Sequence, residues 1–96
     1  MVQVAVGVAP VVVSGRDSKI LTITFYNASP AGQGIFLTKY GAAGLAAANA
    51  EYFLLPGVMM SFLLEFEGQD IQGEWGALAT AAGGLLQVGT SSMRAR

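Results

Sequence analysis

The residue types that usually carry catalysis are scarce in this chain, and two of them are missing. The 96 residues include no His and no Cys. A serine nucleophile needs a neighbouring general base, most often His. Without His, the candidate hydroxyls lack that base; they are Ser14, Ser18, Ser29, Ser61 and Ser91. Lys19 would serve only in a Ser–Lys dyad, and the sequence has no motif for one. We therefore expect no nucleophilic catalysis.

The carboxylates offer the next kind of chemistry, general acid–base catalysis. Glu65 and Glu67 lie two apart in a segment that alternates like a strand, which places both side chains on one face. A glycoside hydrolase needs two carboxyl groups about 5–10 Å apart across a cleft. Because we expect both to face solvent, opposite Phe62 and Leu64, we interpret them as solvated surface charges. The chain is predicted not to be an enzyme, with no catalytic residue and no cofactor.

An acidic turn and four aromatic residues allow two binding hypotheses. Oxygen ligands in the segment 67–74 (Glu67, Asp70 and Glu74) suit Ca²⁺, although no EF-hand pattern is present, and the sequence leaves this open without assigning a metal site. The second hypothesis is a sugar-stacking platform built from aromatic side chains, namely Tyr26, Tyr40, Tyr52 and Trp75. Trp75 aligns with the apolar Ile71 and Ala77, which favours a place in the core.

Charge is the most unusual property of the composition. Charged residues are 11% of the chain, against about 25% in a typical domain, while hydrophobic residues are 53%. One domain of 96 residues exposes much of its surface, and these charges are too few to cover it. We expect copies of the chain or another protein to cover part of that surface. A net charge of −1 and scattered basic residues argue against nucleic acid as a partner. No segment reads as a membrane span.

Short alternating segments separated by turn residues predict an all-β fold. The clearest is 19–26, with Leu21, Ile23 and Phe25 on one face. Seven or eight such strands predict a small antiparallel β-sandwich, jelly-roll-like, or a barrel. The Ala-rich segment 41–50 is predicted to be a loop with at most one helical turn.

Several finer features of the fold are also predicted. Alternating apolar residues predict one strand over 58–66, and another is predicted over 71–79. Pro10 is expected to interrupt a β ladder that Val11 resumes, and Gly83-Gly84 is expected to form a two-residue hairpin. The predicted core consists of Leu21, Ile23, Phe25, Phe62, Leu64, Phe66 and Trp75.

Two uncharged segments are the predicted interface. Residues 1–13 contain no charge and read as an N-terminal arm or edge strand contacting neighbouring chains, and the turn 56–60 exposes at least one Met whichever way its strand faces. The predicted interface residues are Val2, Val4, Val6, Val8, Pro56, Val58, Met59 and Met60.

The chain resembles small virion proteins of tailed bacteriophages, of the head decoration (cement) or capsid-surface type. The resemblance rests on an N-terminal Val/Thr-rich strand, a basic residue, an L-x-I strand followed by Asn-x-Ser, an I-x-L strand, a small-residue loop, a Leu ahead of a Pro-Gly turn, an I-x-G-x-W segment followed by Ala, and a Gly-Gly pair. The matching residues are Arg16, Leu21, Ile23, Asn27, Ser29, Ile35, Leu37, Leu54 or Leu55, Pro56, Gly57, Ile71, Gly73, Trp75, Ala77, Gly83, Gly84, Leu86 and Val88.

This resemblance implies a non-enzymatic module on the capsid surface of a virion. Its implied partner is the major capsid protein or another virion protein. Its implied assembly is a homo-oligomer, and the resemblance favours a trimer. The alternative from a different class is a carbohydrate- or receptor-binding β-sandwich of a phage tail, neck or fibre. Cementing predicts exposed aliphatic and Met side chains at contacts, whereas sugar binding predicts exposed aromatic side chains.

Overall fold

The computed structural model describes residues 2–92, except for the side chains of Phe66, Gln69 and Asp70. In this part of the chain eight strands form, joined by loops and three short helical segments. The strands are β1 (Val2–Val6), β2 (Val11–Ser14), β3 (Ile20–Asn27), β4 (Ile35–Thr38), β5 (Tyr52–Leu54), β6 (Met59–Leu63), β7 (Trp75–Ala79) and β8 (Gly84–Ser92). The helical segments are the single α turn α1 (Leu64–Glu67) and the 3₁₀ segments Ala47–Asn49 and Gly68–Gln72.

The strands form two antiparallel sheets, and the pairing is nested. The first sheet has the order β1-β8-β3-β6 and the second β2-β7-β4-β5. The pairs β1–β8, β2–β7, β3–β6 and β4–β5 are those of one long hairpin rolled over a core. That wrapping defines a jelly roll. The fold is therefore an all-β sandwich and not a closed barrel.

Alternation along β3 explains how the first sheet faces the core. Ile23 and Phe25 are fully buried, while Thr24 lies on the outer face. The Thr24 hydroxyl lies 2.8 Å from the Ser61 hydroxyl of neighbouring β6, a polar cross-strand pair on the outer face. The sheet is thus apolar on one side and polar on the other, as expected for a half-buried antiparallel sheet.

Aromatic rings fill the centre of the sandwich. Trp75 of the second sheet is fully buried, with ring centroids 4.8 Å from Phe25 and 5.0 Å from Phe62 of the first sheet. Tyr52 adds a ring 4.8 Å from Phe62. These contacts span both sheets, and such pairs stabilise beyond the area they bury. The predicted core positions of Ile23, Phe25, Phe62 and Trp75 are confirmed.

The predicted core position of Leu21 is wrong. Leu21 is 39% exposed, and its neighbour Ile20 is buried in its place. The pairing of β3 with β8 shifts register between Ile20 and Thr22. Such a bulge adds a residue to one strand and reverses which side chains face inward.

The predicted strand over 58–66 is also wrong beyond Leu63. The chain leaves the sheet there and forms α1, which ends at Gly68 with φ of +75°. Leu64 is half-buried against the core, and Phe66 lies outside the described side chains. The fully buried Ile71 follows, so the segment folds over the open end of the core.

The predicted strand over 71–79 begins only at Trp75. Ile71 belongs to the preceding 3₁₀ segment, where its carbonyl accepts the Trp75 indole N–H at 3.0 Å. This bond holds the 3₁₀ segment at the edge of the Trp75 indole, and Ile71 is buried without belonging to a strand.

Two predicted turns cross between the sheets instead of staying within one. The Gly83-Gly84 pair joins β7 of the second sheet to β8 of the first, so no hairpin forms. Pro10 likewise lies between β1 and β2, which belong to different sheets. Only the β4–β5 connection joins sequential strands of one sheet. It contains the Ala-rich segment, which forms the predicted loop with one 3₁₀ turn.

Candidate functional site: the two ends of the sandwich

The strand register places the connecting loops at two opposite ends of the sandwich. Ser14 pairs with Trp75 and Thr22 with Leu63, so the segments 15–19, 39–51 and 64–74 share one end, here called the charged end. The segments 7–10, 28–34, 55–58 and 80–83 share the other, here called the charge-free end.

All nine charged residues within 2–92 lie at the charged end, and none lies in a strand. They are Arg16, Asp17, Lys19, Lys39, Glu51, Glu65, Glu67, Asp70 and Glu74. Arg94 and Arg96, the remaining two charged residues, lie outside the described residues. Within residues 2–92 the charges are thus concentrated at one end, and the four loops of the other end contain none.

The charge-free end exposes mainly apolar side chains. Val8 is 64% exposed and Leu55 is 58% exposed, with Val58 at 39%. All three prolines lie in the loops of this end and are exposed, as are several alanines; the residues are Pro10, Pro30, Pro56, Ala31, Ala81 and Ala82. Exposed apolar side chains with no charge among them favour an interaction surface at this end.

Asn27, at the end of β3, holds the loops of the charge-free end together from within. The side chain is fully buried, and its Nδ2 donates to the backbone carbonyls of Gln33 at 2.8 Å and Leu54 at 2.9 Å. Its Oδ1 accepts the N–H of Ser29 at 3.0 Å. The Ser29 hydroxyl in turn accepts the N–H of Leu85 at 3.0 Å. The Asn-x-Ser element of the sequence therefore has a structural role, because its two side chains hydrogen-bond the backbone of neighbouring segments.

Backbone bonds connect the remaining loops of this end. The N–H of Ala79 donates to the Gly7 carbonyl at 2.7 Å, and the N–H of Thr80 donates to the Gly34 carbonyl at 3.0 Å. Gln33 Nε2 donates to the Ala82 carbonyl at 2.9 Å. Each of the four loops is thus tied to a neighbouring strand or loop, so the apolar surface is held in one arrangement before any partner binds.

The Pro56-Gly57 turn projects the exposed side chains of Leu55 and Val58 at this end. The N–H of Val58 donates to the Leu55 carbonyl at 3.1 Å, and Gly57 has φ of +80°. Proline followed by a residue with positive φ is typical of a type II turn. The turn is fixed to β3 by the Gly57 N–H, which donates to the Asn27 carbonyl at 2.8 Å.

The eight predicted interface residues divide between surface and core. At the charge-free end, Val8, Pro56 and Val58 are exposed, and Met59 beside them is 57% exposed. Val2 is 68% exposed on the edge strand β1, away from this end.

The other three predicted interface residues face inward. Val4 and Met60 are half-buried against the core, and Val6 is 1% exposed within it. Within residues 2–14 the chain forms β1 and β2, each at the edge of its sheet, and the predicted contact with neighbouring chains stays a prediction. Leu55, Pro10 and Pro30 are exposed members of the charge-free end that the sequence reading missed, because grouping them requires the strand pairing.

The charged end contains an open groove of about 570 Å³. Its lining includes Arg16, Lys39, Tyr40 and Glu74. Tyr40 is 71% exposed, and Lys39 Nζ lies 5.7 Å from the centroid of its ring. Glu74 Oε1 accepts the N–H of Ala42 at 3.2 Å. The groove therefore combines an aromatic surface with charges of both signs.

Of the four aromatic residues of the predicted stacking platform, Tyr40 is the exposed one. Trp75 is buried in the core, Tyr52 is half-buried against Phe62, and Tyr26 is half-buried. The structure does not bring the four rings together on one surface.

The carboxylates that suggested catalysis lie on the helical segment of the charged end. Glu65 and Glu67 are exposed and belong to α1 instead of a strand. Because successive residues of a helix turn by about 100°, side chains two apart point to nearly opposite sides. The prediction that both point the same way is therefore wrong. Of the acidic turn 67–74, Glu74 lines the groove, and the Asp70 side chain lies outside the described part.

Comparison with protein-family models, curated proteins and solved structures finds no match for this chain. Within residues 2–92, no helix has the length and apolar character that crossing a membrane requires.

Proposed function

We propose that this protein is a non-enzymatic structural component of a tailed-phage virion, a decoration or cement protein that docks on the outer capsid surface. The observation that carries the proposal is the separation of charge within residues 2–92: nine charges at one end, and none at the end that exposes Val8, Leu55 and Pro56. An apolar, rigid end suits a dry contact with a partner, and a charged end suits exposure to solvent. The resemblance of the sequence to decoration proteins names the partner, the major capsid protein or another virion protein.

Rigidity of the charge-free end supports this role. Asn27 and the backbone bonds around it fix the four loops before binding. A preorganised surface loses little conformational entropy on association, so more of the contact energy remains as affinity. A homo-oligomer, such as the trimer that the resemblance implies, would multiply a modest contact per copy through avidity.

The scarcity of catalytic chemistry supports a structural role over an enzymatic one. The sequence has no His or Cys, and Glu65 and Glu67 lie exposed on α1. Among the described residues, every buried side-chain nitrogen and oxygen has a hydrogen-bond partner. Active sites often hold polar groups that the fold itself leaves unsatisfied, and this part of the chain has none.

The proposal is tested by placing one positive charge at each end. Leu55→Lys and Met59→Lys change exposed side chains at and beside the charge-free end, and Ala48→Lys changes an exposed side chain at the charged end. All three should fold, because the altered side chains lie outside the core. A dry contact would bury the unpaired ammonium at a cost of several kcal/mol. Light scattering of the isolated chain and co-sedimentation with shells of the major capsid protein measure the result.

We expect Leu55→Lys and Met59→Lys to lose co-sedimentation or self-association, while Ala48→Lys keeps both. Parental behaviour of all three variants would place the contact elsewhere and contradict docking by the charge-free end. A monomeric parent chain that fails to sediment with shells would contradict the decoration role itself.

A further inference from the structure

The groove at the charged end has no part in the proposed docking, and its lining points to a ligand of its own. Its volume of about 570 Å³ lies within the range of about 300–1,000 Å³ that small-molecule sites occupy. We propose that this groove binds an acidic saccharide of the uronic acid type. The proposal is independent of the assembly role, because the groove and the charge-free end lie at opposite ends of the sandwich.

The walls of the groove are fixed by the fold. On one side Gln72 Nε2 donates to the carbonyls of Ser18 at 2.8 Å and Ile20 at 3.1 Å, which holds the loop 15–19 in place. On the other side the loop after β4 packs directly on β7. A Cβ added to Gly76 would lie 2.5 Å from the Ala42 Cα, so only glycine allows this approach.

Tyr40 supplies the apolar surface that a sugar ring requires. Its side chain is 71% exposed within the groove, whereas the other tyrosines are half-buried. Aromatic rings combine a large apolar face with a polar tip, and the C–H face of a pyranose suits such a ring. This exposed aromatic side chain is the feature that the carbohydrate-binding alternative predicts from the sequence.

The charged residues of the groove define the polar groups of the ligand. Arg16 presents the planar guanidinium that binds carboxylates through paired hydrogen bonds, and Lys39 adds positive charge beside the Tyr40 ring. Glu74, held by the Ala42 N–H, supplies a carboxylate that accepts hydrogen bonds from hydroxyl groups. A ligand that carries both a carboxylate and hydroxyl groups satisfies this set.

The small number of basic residues argues against polyanions. A phosphate chain or a nucleic acid backbone carries a charge at every unit, and two basic residues beside the Glu74 carboxylate are too few to neutralise successive phosphates. A neutral sugar would lack the carboxylate that the Arg16 guanidinium is suited to bind. The uronic acid combines the two recognised groups on one ring.

The test compares probes that differ by one group. Methyl β-D-glucuronide and methyl β-D-glucoside differ only in the carboxylate at carbon 6, and acetate supplies the carboxylate without the ring. Each is titrated into the ¹⁵N-labelled full chain, and the amide signals of Gly41, Ala42 and Gly73 are followed. We expect the glucuronide to shift these signals saturably, the glucoside to bind at least tenfold more weakly, and acetate to produce no shift at equal concentration.

Matched variants separate the groove from general charge effects. Arg16→Gln and Tyr40→Ala should each weaken glucuronide binding at least tenfold. Lys19→Gln removes the same charge from the same loop outside the groove lining, and Tyr40→Phe keeps the ring; both should bind within about threefold of the parent. Equal binding of glucuronide and glucoside, equal effects of Arg16→Gln and Lys19→Gln, equal shifts with acetate, or no saturable shift would overturn the proposal.

Discussion

The two ends of the sandwich use polar groups in opposite ways. At the charge-free end the polar side chains of Asn27 and Gln33 are buried and hold loops together. At the charged end they line an open groove or face solvent, as Tyr40 and Asn49 do. Hydrogen bonds inside the first end stabilise the apolar surface that we propose as the contact with a partner. The polar groups of the second end remain accessible, so a hydrogen-bonded apolar surface and an accessible groove coexist in one small domain.

Truncation of the shared core has the largest expected effect and tests whether the two ends depend on one another. Phe25→Ala should lower the free energy of unfolding by about 3–5 kcal/mol, because it removes a fully buried ring in contact with Trp75. Leu21→Ala, its matched control on the same strand, should cost under about 1 kcal/mol because Leu21 is partly exposed. Urea denaturation measures both. Similar losses for the two variants would contradict the bulge that turns Leu21 outward.

Removal of one asparagine at each end compares the two ends directly. Asn27→Ala leaves two buried carbonyls and one buried N–H without their partner, at about 1–3 kcal/mol each, so we expect a loss of about 3 kcal/mol or more. Asn49→Ala also removes two hydrogen bonds, to Ala46 and Gly44, but they are exposed and water replaces them. We expect under about 1 kcal/mol there. Thermal and urea unfolding should rank the variants in this order; the reverse order would remove the contrast between the ends.

A glycine from each end gives a smaller effect. Gly57→Ala forces a Cβ into a backbone with φ of +80° and should cost about 1–2 kcal/mol. Gly15→Ala meets no atom within 4 Å at an ordinary φ, so it should be neutral or slightly stabilising. Melting temperatures of the two variants check this, and a loss at Gly15 equal to that at Gly57 would show that the turn at 55–58 is not specially constrained.

The smallest expected effect is that of the paired change Glu65→Gln and Glu67→Gln. Both side chains are exposed on α1, so the free energy of unfolding should change by under about 0.5 kcal/mol and shell binding should be retained. Loss of a hydrolytic turnover in this double variant would contradict the non-enzymatic role.

The class of fold was predictable because the alternation of apolar and polar residues is a local property of the sequence. The predictions failed where the position of a side chain depends on pairing with a distant strand. Ile23, Phe25 and Phe62 were placed correctly from their spacing alone. Leu21 was misplaced because the bulge depends on the pairing of β3 with β8. Gly83-Gly84 was misread as a hairpin because no local signal shows that β7 and β8 belong to different sheets.

The prediction of the candidate surfaces was limited in the same way, by features that depend on strand pairing. Val8, Pro56, Val58 and Met59 were predicted from their lack of charge, whereas Val6 was included only because alternation does not say which face is inward. The separation of charge between two ends could not be seen from the sequence, because it needs the nested pairing to bring 7–10, 28–34, 55–58 and 80–83 together. The sequence offered Tyr40 as one of four aromatic candidates for a sugar-stacking platform, and its exposure in the structure distinguishes it from the other three.

Nested strand pairing also sets the order in which the molecule opens. Pairs of the rolled hairpin join ever more distant parts of the chain, from Leu37 with Tyr52 in β4–β5 to Val2 with Val88 in β1–β8. Topologies dominated by such distant contacts fold slowly, because each pair must close a long loop. β1 is the outermost strand and pairs with β8 alone, so its release leaves every other pair intact. Amide hydrogens of β1 should therefore exchange with solvent through local opening, while those of β3, between β6 and β8, exchange only through global unfolding.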